Sequence, residues 1–247
     1  MKKKVVVMIP TYNERENIIP LIQEILKLNH HYEFQVLIVD DNSPDGTGLI
    51  VQEAFTHNPR VKSLIRLKRR GRGAAGIDGF KAAVNLQPDF VIEMDGDFSH
   101  QPQEIPKLLQ ATEKADIVIG SRFVKEGKDS ERNLLRRLIT WLVRFYIRRS
   151  FKIPVKDVSS GFRCFHRQAL EKLDLDDLIS IGPSIVLEIL YKAHLLGLKM
   201  TEVPITFRDR AQGKTKLNLA ILLETLAMSL IIKDRLGNFP TPSPEKS

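Results

Sequence analysis

In the first half of the chain, short runs rich in valine and isoleucine alternate with segments whose apolar residues recur at helical spacing. Runs this apolar can leave neither face in water. Their stable arrangement is a mostly parallel β-sheet flanked by helices, an α/β fold of Rossmann-like type. The runs predict strands over 5–9, 36–39, 61–67, 90–94 and 117–120. Between them Ile18, Leu21, Ile22, Ile25 and Leu26 mark a first helix, a second runs to about Ala54, and others are expected over 73–85 and 105–112. Ligands of open α/β sheets bind beyond the carboxyl ends of the strands. The loops after Ile9, Val39, Met94 and Ile119 should therefore line one crevice.

From about Gly127 the pattern changes. Residues 132–152 carry seven basic side chains and no acidic one, interleaved with Leu134, Leu138, Trp141, Leu142 and Phe145. On a helical wheel Arg136, Arg137, Arg144 and Arg148 group apart from that apolar set, so 127–156 is expected to hold a basic amphipathic helix suited to an interface. A loop over 158–163, helices near 168–173 and 184–196, a strand over 202–207 and a polar loop over 208–216 follow. The segment 217–232 is apolar nearly all round, which leaves core burial, pairing with another chain or contact with a membrane. Residues 1–236 are expected to form one domain and 237–247 a disordered tail, with three prolines in the last nine residues.

The single cysteine, Cys164, excludes a disulfide framework and a multi-cysteine zinc site, and fits a reducing compartment. The six apolar residues 5–10 are too few for a signal-peptide core, and no stretch reaches the roughly 20 residues of a membrane span. An excess of 38 Lys and Arg over 30 Asp and Glu gives a net charge of +8. That balance favours acidic partners, among them nucleic acid, anionic lipid and phosphorylated substrates.

Asp95-Gly96-Asp97 closes the fourth apolar run. Carboxylates two residues apart on extended backbone point the same way, so both can reach one hard divalent cation such as Mg²⁺ or Mn²⁺, with Gly96 allowing close approach of a ligand. A solvated turn is the competing reading. Asp40 and Asp41 follow the second run, where a nucleotide-binding fold places an acid on base or ribose, although turn closure also uses such residues. The loop from Pro10 through Tyr12 to Glu14 offers an aromatic face to a base, or is a helix entry capped by Asn13. Arg122, Arg136 with Thr140, and Arg210 with Lys216 supply donors suited to phosphate oxygens, unless they are simply solvated. Residues 69–73 resemble a phosphate loop only weakly, and His100 and Cys164 read as structural.

The runs IPTYNERENI (9–18), VDDNSPDGT (39–47), MDGDFSH (94–100), GSRF (120–123), SSGFR (159–163) and FRDRAQGKTKL (207–217) together resemble the polyprenol (dolichol) phosphate mannose synthases of glycosyltransferase family 2. The resemblance extends in order from about Val5 to Leu217 and implies a GT-A fold. It implies that Pro10, Tyr12, Glu14, Val39 and Asp41 hold the donor nucleoside and that Asp95, Gly96 and Asp97 form the metal and diphosphate site. Ser99 falls where some members present a glutamine metal ligand. Arg122, Arg210 and Lys216 match phosphate contacts, and Arg136 with Thr140 match a pair that grips the acceptor phosphate.

The activity so implied is inverting, metal-dependent transfer of mannose from GDP-mannose to a polyprenyl phosphate, with Asp95, Asp97 and Arg122 as its catalytic residues. It places the chain peripherally on the cytoplasmic face of a membrane, with a small membrane subunit as an open partner and without nucleic acid. A phosphate monoester is mostly dianionic at pH 7, so such an acceptor needs no general base. Asp157 is the residue to examine if one is needed, its simpler role being to orient Arg163 or cap a turn. The alternatives are glucose transfer from UDP-glucose to the same kind of acceptor, another family 2 sugar transfer, and a non-catalytic basic adaptor for membrane or nucleic acid.

Overall fold

A computed structural model describes residues 2–28, 31–68, 70–129, 134–208 and 219–237, without the side chains of 134–140 and 219–223. Its elements are β1 (Lys3–Thr11), α1 (Arg15–Leu26), β2 (Tyr32–Asp40), α2 (Thr47–Ala54), β3 (Val61–Ile65), α3 (Arg72–Asn85), β4 (Phe90–Glu93), α4 (Ile105–Ala111) and β5 (Ile117–Ser121). They continue with β6 (Lys128–Asp129), α5 (Leu134–Phe151), β7 (Arg163–His166), α6 (Arg167–Lys172), α7 (Ile185–Leu195), β8 (Met200–Pro204), β9 (Thr206–Phe207) and α8 (Leu219–Leu236).

The main sheet has the order β3-β2-β1-β4-β7-β5-β8, and β6 pairs with β9 in a small second sheet. Neighbours in the main sheet run parallel except around β7, which lies antiparallel between β4 and β5. Alternation along β1 explains why the central strands are apolar on both sides. Val5, Val7 and Ile9 pack with Ile18, Leu21, Ile22 and Ile25 of α1, while Val6 and Met8 pack with Phe80 and Ala83 of α3. The α/β class read from the sequence is what forms.

β7 is the strand that the sequence reading leaves within and just beyond its 158–163 loop. It is four residues long and carries an arginine, so no periodicity marks it. Arg163 is tolerated there because Glu93 of β4 faces it in register. The strand expected over 202–207 divides into β8 and β9. Pro204 has no N–H for a ladder, and Ile205 turns the chain from β5 to β6, its N–H donating to Ser121 and its carbonyl accepting from Lys128. β1 continues through Pro10 to Thr11, and β3 stops at Ile65 rather than 67.

On α5 the apolar set foreseen on one face is mostly turned outward. Trp141, Leu142 and Phe145 are exposed, whereas Ile147 and Phe151 enter the core. α8 buries Ile232 and Leu236 and exposes Leu230 and Ile231, so part of it is core and part is surface. Among the described residues, no helix is long and apolar enough to cross a membrane. The expected tail lies outside the described residues apart from Gly237.

Candidate active site

The strand order reverses between β1 and β4, and the carboxyl ends of β1, β2 and β4 open together at that point. On β4, Glu93 accepts from Arg163 Nε at 2.9 Å and from its Nη2. Both side chains are fully buried. Arg72, the first residue of α3, stands beside this pair. Its Nη1 is 3.9 Å from Glu93 Oε1, and its Nη2 donates to Asp95 Oδ1 at 2.7 Å. Burial opposes the Arg72 charge, but Asp95 and Glu93 more than offset it and hold the guanidinium above its usual pKa. The result is a file of alternating charges, Arg163, Glu93, Arg72 and Asp95, leading from the sheet interior to the strand-end acids.

The backbone N–H of Asp95 donates to His100 Nδ1 at 3.0 Å, and the His100 ring stacks on Phe162 at 5.0 Å. Burial pulls the His100 pKa below its ordinary value even though Asp95 and Asp97 oppose it, which suits an accepting nitrogen. His100 is therefore structural in the sense expected, but it shapes the acidic loop directly. The extended geometry foreseen for Asp95-Gly96-Asp97 does not form. β4 ends at Glu93, the chain bends, and Phe98 takes φ of 60°. Gly96 does not open room for a ligand on its Cβ side either. A Cβ there would meet Thr11 Cγ2 at 3.2 Å and Ile9 Cγ2 at 3.4 Å, so the glycine lets the loop close on β1.

Asp97 is buried and accepts the Ser99 N–H at 3.0 Å. The Ser99 hydroxyl is also buried and has no hydrogen-bond partner among the described residues. A buried hydroxyl left without a partner is costly, and its place beside a carboxylate fits a hard divalent cation that takes oxygen ligands. Asp97 and Ser99 would hold Mg²⁺ or Mn²⁺ there, next to Asp95. Among the described residues no group of three or more His, Cys, Asp and Glu gathers to bind a metal unaided. Substrate oxygens would complete the shell.

Asp40 and Asp41 divide their work. Asp40 accepts from the Thr11 hydroxyl at 3.0 Å, the Ser43 N–H at 2.9 Å and the Ser43 hydroxyl at 2.5 Å, so it organises the loop. Asp41 is gripped by Arg66 Nη1 and by the Gly71 N–H at 2.8 Å. Arg66 also reaches Asp78 of α3 at 2.8 Å, which ties the ends of β2 and β3 to α3. Gly71 adopts φ of 139°, and a Cβ there would lie 2.6 Å from the Ile181 carbonyl oxygen. Tyr12 stands at the rim, 39% exposed. The N–H groups of Asn13 and Glu14 donate to Ser43 Oγ and Thr47 Oγ1, both at 3.0 Å, and Asn13 has φ of 60° and caps nothing. Pro10, the penultimate residue of β1, lies in register with Val39, which is fully buried below the crevice.

Arg122, just past β5, donates through Nε and Nη2 to both Asp157 oxygens at 2.8 Å and to Ser159 Oγ at 2.7 Å. Burial raises the Asp157 pKa, but hydrogen bonds and charge from Arg122 outweigh it and hold the carboxyl below its ordinary value. Asp157 thus orients Arg122, not Arg163, whose partner is Glu93. Arg144 of α5 closes the same region, with Nε on the Lys156 carbonyl at 3.0 Å and its guanidinium 3.4 Å above the Phe123 ring. Arg210 and Lys216 lie outside the described residues, as do the side chains of Arg136 and Thr140.

The roles of four charged residues of the site escape the sequence reading: Arg66, Arg72, Glu93 and Arg163, with Arg72 entering it only within 69–73 and Arg163 only as a partner for Asp157. Two carried a signal. Arg72 sits between glycines directly before a helix, and Glu93 interrupts an otherwise apolar run.

Residues 6–174 match the family model described as Glycosyl transferase family 2. The chain is 37% identical over 223 residues to an undecaprenyl-phosphate mannosyltransferase of Micrococcus luteus, covering 90% of this chain and 91% of that protein. It is 35% identical over 227 residues to a polyprenol monophosphomannose synthase of Mycolicibacterium smegmatis, covering 91% and 84% respectively. Its fold is similar to that of glucosyl-3-phosphoglycerate synthase from Mycobacterium tuberculosis, solved with Mn²⁺, UDP-glucose and phosphoglyceric acid. The TM-score is 0.65 at 19% identity, over 98% of this chain and 81% of that one.

Proposed function

The chain belongs to glycosyltransferase family 2, and from that premise we propose that it transfers mannose from GDP-mannose to a polyprenyl phosphate with inversion, as one catalytic domain over 1–236. The carrying observation is the meeting of Asp41, Asp95, Asp97 and the orphaned Ser99 hydroxyl at one sheet switch point. The two mannosyltransferase relatives support the sugar and the lipid acceptor. The Mn²⁺ in the mycobacterial structure supports a divalent cation.

On this reading Asp41 and Tyr12 receive the nucleoside, with Pro10, Glu14 and Val39 shaping the floor and wall of its pocket. Asp95, Gly96, Asp97 and Ser99 face the diphosphate, and Arg210 and Lys216 join them there. A divalent cation, when bound, neutralises charge on the departing diphosphate. One acceptor phosphate oxygen forms the new bond to the anomeric carbon as the bond to the nucleoside diphosphate breaks, and the electron pair leaves with that diphosphate. No proton has to be removed from the acceptor, because a phosphate monoester is already mostly dianionic at neutral pH. Asp157, paired with Arg122, is held as a counter-ion and has no part as a base. Arg122, aimed by Asp157, and Arg136 with Thr140 orient the acceptor phosphate.

The outward Trp141, Leu142 and Phe145 of α5 sit on a helix rich in arginine, and this surface suits the headgroup region of an anionic membrane. We therefore place the protein peripherally on the cytoplasmic face.

The test is a transfer assay with purified full chain, GDP-mannose, polyprenyl phosphate in vesicles, and Mg²⁺ or Mn²⁺, read by mass spectrometry of the lipid. The expected product is mannosyl-phosphoryl polyprenol, lost on Asp97→Ala. Glucosyl lipid formed from UDP-glucose, with no mannosyl lipid from GDP-mannose, would overturn the donor assignment.

A further inference from the structure

Arg72, the first residue of α3, is half-buried and reaches into the site. Its guanidinium crosses in front of the Gly161 backbone, where a Cβ would lie 2.3 Å from Arg72 Nη2 and 3.6 Å from Asp95 Oδ1. The glycine of the SSGFR run thus makes the channel through which Arg72 reaches Asp95. At its other side Arg72 is steadied by Glu93, and Glu93 by Arg163. The N–H of Ala75 bonds to the Gly71 carbonyl at 2.8 Å and the N–H of Gly73 to the Ile181 carbonyl at 2.7 Å, so the backbone carrying Arg72 is fixed as well. A cationic side chain fixed on this acidic loop lowers the negative charge that the loop offers to any metal ion. A divalent cation approaching the same loop meets that positive charge at short range.

We propose that Arg72 is the resident counter-ion of the strand-end acids, a positioning residue that keeps the site's affinity for a bare divalent cation low and makes metal capture conditional on the nucleotide diphosphate. The diphosphate brings negative charge that both the metal and Arg72 can share, so metal and nucleotide reinforce one another's binding. This coupling is reciprocal, because whatever factor the nucleotide adds to metal affinity, the metal adds to nucleotide affinity. The inference rests on the proposed transferase reading for the identity of the diphosphate, but the effect of Arg72 on the bare metal does not depend on it.

The experiment measures Mn²⁺ binding to the full chain by the paramagnetic resonance signal of free Mn²⁺, with and without GDP. Wild-type protein should bind Mn²⁺ weakly alone and more tightly with GDP. Arg72→Leu and the polar Arg72→Gln should tighten binding of Mn²⁺ alone by about tenfold, the scale of removing one nearby unit charge from a divalent site. Both should shrink the enhancement by GDP. Arg72→Lys, which keeps the charge, should stay near wild type. Gly161→Ala provides an independent route, because it displaces the guanidinium without changing the chain's charge, and it should behave like Arg72→Leu.

Unchanged or weaker Mn²⁺ affinity in folded Arg72→Gln would overturn the proposal, as would absence of Mn²⁺ binding in every variant. If Mn²⁺ alone binds more tightly to the neutral variants while GDP has no effect on any of them, the effect of Arg72 on the bare metal stands, and both its coupling to the diphosphate and the donor assignment fall.

Discussion

The Glu93–Arg163 pair gives the sharpest test of how this sheet is held together. Arg163 has no solvent exposure and Glu93 only 1%, and they meet across adjacent antiparallel strands at the centre of the sheet. Arg163 Nη1 finds one further acceptor, the Val186 carbonyl at 3.4 Å. Removing one charge leaves the other buried without its counter-ion, a loss of about 3–5 kcal/mol in comparable pairs. For a chain of this length about 2–4 °C of melting temperature accompanies each kcal/mol, so Glu93→Gln should lower Tm by roughly 6–20 °C. The double variant Glu93→Leu with Arg163→Met removes both charges and should recover much of that loss, because well-packed apolar pairs replace buried ion pairs at little net change in stability. Thermal melts and urea unfolding followed by circular dichroism, the latter with its slope checked for constancy, compare the parent with both variants. A Glu93→Gln protein within about 1 kcal/mol of its parent would refute the reasoning that β7 depends on charge compensation. The double variant should also lose part of the fixation of Arg72, so its recovered stability should come with reduced transfer activity.

Gly73→Ala should destabilise the fold by about 1–3 kcal/mol, read from the urea midpoint, because the added Cβ would meet the backbone carbonyls of Ser180 at 2.4 Å and Gly182 at 2.7 Å. Asp157→Asn should lower kcat about 100-fold through misplaced Arg122 while leaving the shape of the pH–rate profile intact; loss of its acid limb would instead mark Asp157 as a base. The folded pKa of Asp157 is depressed, so its stabilising contribution is complete above the ordinary carboxylate pKa and is lost as pH falls through the lower folded value. Acid unfolding of Asp157→Asn, followed by fluorescence below about pH 4, should accordingly show a shallower pH dependence than wild type. Replacing Trp141 and Phe145 with serine should weaken binding to anionic vesicles in a flotation assay without lowering Tm, because both rings are already exposed.

The parallel core was legible because Val5–Ile9, Val36–Val39 and Ile117–Ile119 are continuous apolar runs, and burial on both faces demands that composition. The crevice was legible for a related reason, since its acids stand in loops at the ends of those runs. β7 was not legible, because its order comes from a partner 70 residues away, Glu93, and not from local pattern. The same applies to the roles of Arg66 and Arg72. An arginine's sequence neighbours do not reveal whether it ends in water or on a buried carboxylate, as Arg66 does on Asp41. The outward turn of Trp141 was foreseeable only as an amphipathic pattern, since a helical wheel shows that two faces exist but not which one meets the core.

The most direct measurement of the central claim is a thermal-shift series on wild-type protein and Asp97→Ala, with GDP-mannose and UDP-glucose each added with and without Mn²⁺. The expected result is a shift with GDP-mannose that requires Mn²⁺, equivalent to about 2.7 kcal/mol at one hundred times Kd, and that disappears in Asp97→Ala. A wild-type protein that shifts with neither nucleotide sugar in the presence of Mn²⁺ would contradict it.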